Sequence, residues 1–372
     1  MDSKPHYLAL DGLRGVAALI VVLYHIGEGY ATSPTDQMVN HGYLAVDFFF
    51  LLSGFVIGYA YDNRWERPDF NTWTYFKRRL IRLHPMVVLG AGIGLASYLL
   101  QGSVRWDGSE VALGWVLLAS VLTMLMIPTH PGAPYDVRGN GEIFPLNGPS
   151  WSLFFEYLGN VLYALVLRRA STIVLKVIVL VSGVGLTWYG MTGQAGAATL
   201  GAGWTLAGSH FLGGSLRLLF SYAMGLLLSR VFRPAKVRGG FWISTVVLVV
   251  FLSLPHLGSL WLNGLYESVL VVVIFPILLW LGASEAVPTA GTGKVYTFLG
   301  DLSYPLYMVH YPLMYLFYAY LWRDGLTPEE SWPVAACVYG GSLVLGYLAM
   351  RFYDKPVRAR LTLRSNSRRG RQ

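Results

Sequence analysis

The sequence predicts an all-α polytopic integral membrane protein of about ten transmembrane helices plus one re-entrant or interfacial helix. Three observations carry this. Hydrophobic residues make up 54% of the 372 positions and charged residues only 13%, whereas soluble chains run nearer ~25% charged. Apolar runs of about 17 residues or more recur along the chain, each long enough to cross ~30 Å of hydrocarbon. Lys and Arg gather in some of the segments between runs and are missing from others, the asymmetry that orients membrane proteins. The 12 Trp and 24 Tyr fit two interfacial aromatic belts.

The runs fall near 12–30, 42–62, 85–101, 111–127, 151–167, 172–190, 209–231, 241–257, 262–283, 297–322 and 333–353. Arg64, Arg67, Lys77, Arg78, Arg79 and Arg82 lie between the second and third runs, and Pro85 opens the third. Arg168 and Arg169 form a further basic turn, and Arg230, Arg233, Lys236 and Arg238 another. The tail adds Lys355, Arg358, Arg360, Arg364, Arg368, Arg369 and Arg371, while 28–41, 191–208 and 258–263 contain no Lys or Arg. All basic segments share one side only if 111–127 does not cross. The expectation is therefore ten crossings of the plasma (inner) membrane with both termini cytoplasmic. Residues 128–150, with Pro128, Pro131, Pro134, Pro145 and Pro149, form an external loop of the length and turn content that more often serves function.

A single membrane domain over 1–358 and a basic cytoplasmic tail over 359–372 account for the chain. The net charge of +8 belongs to segments that face anionic lipid, not to a nucleic-acid surface. Cys337 stands alone, which excludes an intrachain disulfide and a cysteine metal cluster; its apolar run suggests a buried thiol. No metal is expected. The opening Met-Asp-Ser-Lys-Pro-His does not read as a signal peptide, so the first run is expected to be a retained helix. His6 and Asp11 match the His-x4-Asp spacing of the glycerolipid acyltransferases, but that fold needs an α/β domain which these runs leave no room for.

Ionisable residues inside membrane spans are costly and mark function by default. Five stand out: Arg14, His25, Asp47, Glu156 and His310. Arg14 and His25 are eleven residues apart, three turns plus ~20°, so they share a helix face about 16 Å apart along the axis. Imidazole suits a general base near neutral pH, and a carboxylate beside it can fix its tautomer. The crossing directions collect His25, Asp47, Glu156 and His310 in the outer half, where Glu156 or Asp47 is expected to orient His25 or the acceptor; a helix–helix ion pair or hydrogen bond is the alternative for either acid. At the inner face Arg79 and Arg82 share a helix face and match phosphate geometry, although inner-side charge alone also explains them. Ser53 and Gly54 allow close approach of a helix or of an extended thiol arm.

The stretches LDGLRGVAALIVVLYH (10–25), GYLAVDFFFLLSGFVI (42–57), RRLIRLHP (78–85), NGPSWSLFFE (147–156) and LGDLSYPLYMVHYP (299–312), in that order, resemble the membrane-bound acyltransferase 3 family. The resemblance implies ten membrane helices, an acyl-CoA donor (acetyl-CoA in the simplest case) entering from the cytosol, and transfer to a hydroxyl of a cell-surface glycan or related acceptor. It implies that Arg14 and His25 are the essential pair and that Trp151, Ser152 and Glu156 belong to the site; Asp47 joins the catalytic candidates on its place in the second span. Arg79, Arg82, Ser53, Gly54 and Phe55 would serve the donor, and Trp151, Ser152, Asn147 and His310 the acceptor. Some members append an esterase-like domain; the short tail here suggests a stand-alone enzyme.

The expected chemistry is removal of the acceptor proton by His25 and attack on the thioester, with an acyl-histidine intermediate as a variant. A transporter or flippase that uses the same charges as a substrate path is the alternative, but it calls for related halves that the sequence does not show. A non-catalytic membrane partner would leave the clustered His and acids unexplained. Oligomeric state is left open.

Overall fold

The apolar runs become helices because a backbone surrounded by hydrocarbon must satisfy its own N–H and C=O groups. A computed structural model describes residues 6–33, 36–258, 260–286 and 289–369. The opening residues 1–5 and Arg371 of the tail lie outside the described residues. In chain order the helices are α1 (Leu8–Glu28), α2 (Ala45–Tyr61), α3 (Thr72–Leu100), α4 (Leu113–Met124), α5 (Ser150–Leu165), α6 (Thr172–Met191) and α7 (His210–Val231). They continue with α8 (Gly240–Ser253), α9 (Leu260–Val269), α10 (Phe275–Ala283), α11 (Ala290–Val309), α12 (Tyr311–Asp324), α13 (Pro328–Leu348) and α14 (Lys355–Arg369). The π-helical turns Leu270–Ile274 and Ala349–Asp354 join α9 to α10 and α13 to α14. Among the described residues β structure is limited to isolated bridges.

Among the described residues seven helical stretches are long and apolar enough to cross a membrane, so the protein is a multi-pass membrane protein. Side chains such as Leu180, Val181, Trp242 and Val246 point outward, as a lipid-facing surface requires. Inside, α1 packs on α11 and α2 on α7. The α2–α7 contact depends on two glycines: a Cβ on Gly54 would lie 2.1 Å from the Tyr222 carbonyl oxygen, and one on Gly225 would lie 2.0 Å from that of Leu51. Backbones this close are the small-residue packing of membrane helices.

Four features bear on the sequence expectation, and three of them depart from it. First, α3 begins at Thr72, capped by the Asn71 side chain accepting from Thr74 N at 3.0 Å, so Pro85 lies inside the helix instead of opening it. The basic residues mark a membrane boundary, not a helix boundary. Second, the run 297–322 is broken at His310. Pro312 has no N–H to give the Met308 carbonyl four residues back; Asn147 Nδ2 donates to that carbonyl at 2.9 Å instead. Third, in keeping with the non-crossing expectation, the run 111–127 yields only the 12 residues of α4, about 18 Å at ~1.5 Å per residue, short of the ~30 Å core. Fourth, Cys337 is exposed on α13, against the expected burial, because α13 lies at the rim with one side turned to lipid.

Candidate active site

Two cavities meet inside the bundle. The larger, ≈ 410 Å³, contains His25, Glu28 and Glu142 in its lining. The smaller, ≈ 150 Å³, is lined by Arg14, Arg79, Arg82, Ser53 and Glu156. Val46 and Tyr307 line both and form the partition between them. Arg14 and His25, on one face of α1, thus serve different cavities.

In the larger cavity His25 Nδ1 lies 2.7 Å from Glu28 Oε2. The Tyr318 hydroxyl donates to the His25 carbonyl at 2.6 Å and to Glu28 at 3.0 Å, fixing this turn of α1. His25 Nδ1 therefore carries the proton, and Nε2 offers a lone pair, the arrangement of an oriented general base. Aromatic faces surround it. The Tyr311 ring is 4.6 Å from the imidazole, and Trp106, Trp151, Trp204 and Trp322 line the same space. Glu142 comes from the loop before α5. Burial pushes its carboxyl up to about 7, against the lowering influence of the Tyr315 hydroxyl and the Arg138 guanidinium. Tyr315 donates a short hydrogen bond to it.

In the smaller cavity Arg79 Nη2 donates to Glu156 Oε1 at 2.8 Å and Arg79 Nε to Asn160 at 2.7 Å. Ser53 Oγ donates to the same Glu156 oxygen at 3.0 Å. Arg14 donates to Asp11 at 2.5 Å and to Ser303 at 3.2 Å. Asp11 also meets His6 at 2.9 Å. Arg82 reaches only the Tyr304 ring, 5.9 Å away, and among the described residues no carboxylate lies within ion-pair distance of it.

Several expected groupings separate. Asp47 does not orient His25: it is fully buried and paired with Arg217 Nη2 at 2.6 Å, because α2 packs directly on α7. Glu156 sits with the arginines, not with His25, because α5 presents it to Ser53 of α2 and Arg79 of α3. Gly54 and Phe55 turn away from the smaller cavity. Gly54 meets the α7 backbone, and Phe55 packs against Tyr7 and Phe232. Asn147 supports the helix break and is absent from both linings, whereas Trp151 lines the larger cavity and Ser152 the smaller. Ser152 and Tyr307 share a hydrogen bond of 2.7 Å. His310 is buried directly against His25, ring centroids 5.4 Å apart, with Nδ1 held by the Leu306 and Tyr307 carbonyls at 3.1 and 2.9 Å.

Glu28, Glu142, Arg217 and Glu267 were not among the five residues singled out. Glu28, Arg217 and Glu267 all lie in apolar runs, so the same search for intramembrane charge, applied to every run, finds them. Glu267 is fully buried and accepts from Asn263 Nδ2 at 2.8 Å, Leu200 N at 2.6 Å and the Tyr43 hydroxyl, which ties the 192–209 loop to the wall of the larger cavity. Among the described residues no group of three His, Cys, Asp or Glu is arranged to hold a metal ion.

Known proteins resemble this chain over most of its length. A family model for an acyltransferase domain, of the acyltransferase 3 type, matches residues 7–351. Protein 2 in the picA locus of Rhizobium radiobacter is 34% identical over 172 residues, covering 44% of this chain and 85% of that protein. The acyltransferase MdmB of Streptomyces mycarofaciens is 24% identical over 379 residues, covering 92% of this chain and 87% of its own. BcsY of Komagataeibacter xylinus, assigned by name to the membrane-bound transacylases, is 23% identical over 375 residues, covering 90% and 87%. No solved structure matches significantly.

Proposed function

The chain belongs to the acyltransferase 3 family and is an O-acyltransferase, and from that premise we propose that it moves an acyl group, acetyl in the simplest case, from acyl-CoA to a hydroxyl of a cell-surface glycan or related acceptor. The observation that carries the proposal is the pair of unlike cavities meeting at Val46 and Tyr307. Guanidiniums suit the phosphates of a nucleotide thioester. Aromatic faces with interspersed carboxylates suit a polyhydroxylated ring, whose apolar faces stack while its hydroxyls donate.

The donor enters the arginine cavity with its thioester toward Tyr307. The acceptor enters the larger cavity with one hydroxyl at His25 Nε2. His25 takes that proton, and the oxygen attacks the thioester carbonyl. The acyl–sulfur bond breaks, and the imidazolium returns the proton to the departing thiolate. Glu28 holds the ring and stabilises the imidazolium. The membrane unit spans 1–358 with ten crossings of the inner membrane, and the basic tail from 359 faces the cytoplasm.

The test is acceptor acylation in proteoliposomes with labelled acetyl-CoA and a neutral oligosaccharide. Transfer by the wild type, with donor affinity weakened in Arg82→Ala, supports the reading. A protein that binds acetyl-CoA equally well in Arg79→Ala and Arg82→Ala would reduce the arginines to a signal of orientation in the membrane.

A further inference from the structure

The C-terminal end of the chain turns back on the arginine cavity. After α13 the helix makes the π-helical turn Ala349–Asp354 and continues as α14. Such turns insert an extra residue into a helix and recur at functional sites. Here α14 packs on α3 and is pinned to α11 by Lys355 Nζ, 2.6 Å from Asp301 Oδ2. The π turn drives Asp354 into complete burial. Its carboxylate is met by Arg358 Nη2 at 2.6 Å, one turn on. Neither Asp354 oxygen accepts a well-formed hydrogen bond, and Arg358 Nε is buried without a partner.

The charges around Arg82 do not balance. Arg82 is close enough to Arg14, Arg79 and Arg358 for their charges to act on it, and Asp354, at longer range, is the carboxylate that acts on it. Each of those three has its own carboxylate: Asp11, Glu156 and Asp354 respectively. Arg82 has none at ion-pair distance among the described residues, and shares Asp354 with Arg358 only at longer range. Four guanidiniums with three anions, partly shielded from water, leave room for one more negative group.

We propose that Arg358 and Arg82 together form a phosphate subsite at the mouth of the smaller cavity, with Asp354 positioning Arg358 for it. This rests on the donor reading above and deepens it. The ligand chemistry is a phosphate monoester dianion, matched by two guanidinium forks, and its source is the nucleotide end of the donor. Arg358 is not part of the cavity lining, so in this proposal the phosphate it shares with Arg82 lies outside that lining while the thiol arm passes Ser53. The C-terminal helix is thereby part of donor recognition.

The experiment measures binding of CoA and of 3′-dephospho-CoA to the full chain in nanodiscs, with phosphatidylcholine alone or with added phosphatidylglycerol. Wild type, Arg358→Gln and Arg358→Lys are compared. Loss of a charge-assisted phosphate contact weakens binding by about tenfold or more. The expected result is that Arg358→Gln loses this much affinity for CoA and none for 3′-dephospho-CoA, in both lipids. Arg358→Lys, which keeps the point charge and the ion pair with Asp354, falls between and serves if the glutamine variant does not fold. An equal loss for both nucleotides makes Arg358 purely structural and overturns the proposal, as does no loss for either. A loss that changes with phosphatidylglycerol assigns the site to a lipid headgroup and overturns it too. Failure of the wild type to bind CoA at all overturns the donor reading and the subsite with it.

Discussion

His25 and Glu28 stand one turn apart on α1 with Nδ1 and Oε2 separated by 2.7 Å. The pairing is local to one helix, so α1 can shift as a rigid body without disturbing it. The proposed base and the carboxylate beside it therefore come from one helix turn, with Tyr318 of α12 bonded to both residues.

Removing the imidazole should therefore stop transfer without unfolding the protein. His25→Ala is expected to lose ~10² to 10⁴ in rate, and His25→Gln nearly as much, because an amide keeps a hydrogen bond but no basicity. Glu28→Gln should fall in between, at least about tenfold down, since the ring loses the charge that holds its tautomer. Turnover in proteoliposomes measures all three. Near-wild-type turnover by His25→Gln would move the base elsewhere, with His310 next in line.

Asp47 and Arg217 predict a stability effect. Breaking a buried ion pair from one side typically costs ~3–5 kcal/mol because the other charge stays behind. Asp47→Asn and Arg217→Met should each lower the unfolding temperature sharply, and the double variant should be less damaged than the two losses added together. Full stability in Asp47→Asn with lost turnover would return Asp47 to the chemistry.

Glu142 gives a pH dependence whose sign follows from its raised carboxyl, at about 7 against an ordinary 4.5. Between those values the folded state holds a proton that the unfolded state has released. Stability therefore falls as pH rises through that window, by up to ~3 kcal/mol, and is flat on either side. Glu142→Gln should abolish this slope. Thermal unfolding from pH 4 to 8 measures it, and a slope unchanged in the variant would locate the titration in another group.

Gly54 separates packing from donor binding. Gly54→Ala places a methyl 2.1 Å from the Tyr222 carbonyl oxygen, an overpacking that commonly costs ~1–3 kcal/mol. Lower thermal stability with unchanged CoA affinity in the surviving protein is expected. Unchanged stability with weakened CoA binding would put the glycine back at the donor.

Reporter fusions test the ten-crossing topology. Fusions after residues 70 and 236 should read cytoplasmic, and those after 140 and 200 external. A cytoplasmic signal at 140 would mean that α4 does not turn back.

The helical class, the apolar runs and the cavity-lining residues Arg14, His25, Arg79 and Arg82 of α1 and α3 were legible because each depends on local pattern: apolar length, charge clustering and an eleven-residue spacing. Partnerships were not. Asp47 finds Arg217 across 170 positions, and Glu156 finds Arg79 across 77. Those meetings depend on the depth and rotation of helices set by glycine contacts such as Gly54 with Tyr222. The break at His310 was partly legible: Pro312 announces a freed carbonyl, but nothing near it in sequence names Asn147 as the donor that answers.

The partition at Val46 and Tyr307 has an electrical meaning. A bilayer that stores an ion gradient tolerates no continuous aqueous thread, and an enzyme reached from both faces invites one. Here the two chambers touch through an aliphatic side chain and a phenol already committed to Ser152, groups that offer little to a water thread. On the proposed reading only the thioester end of the donor needs to pass this point, so acyl transfer between compartments calls for no open aqueous path.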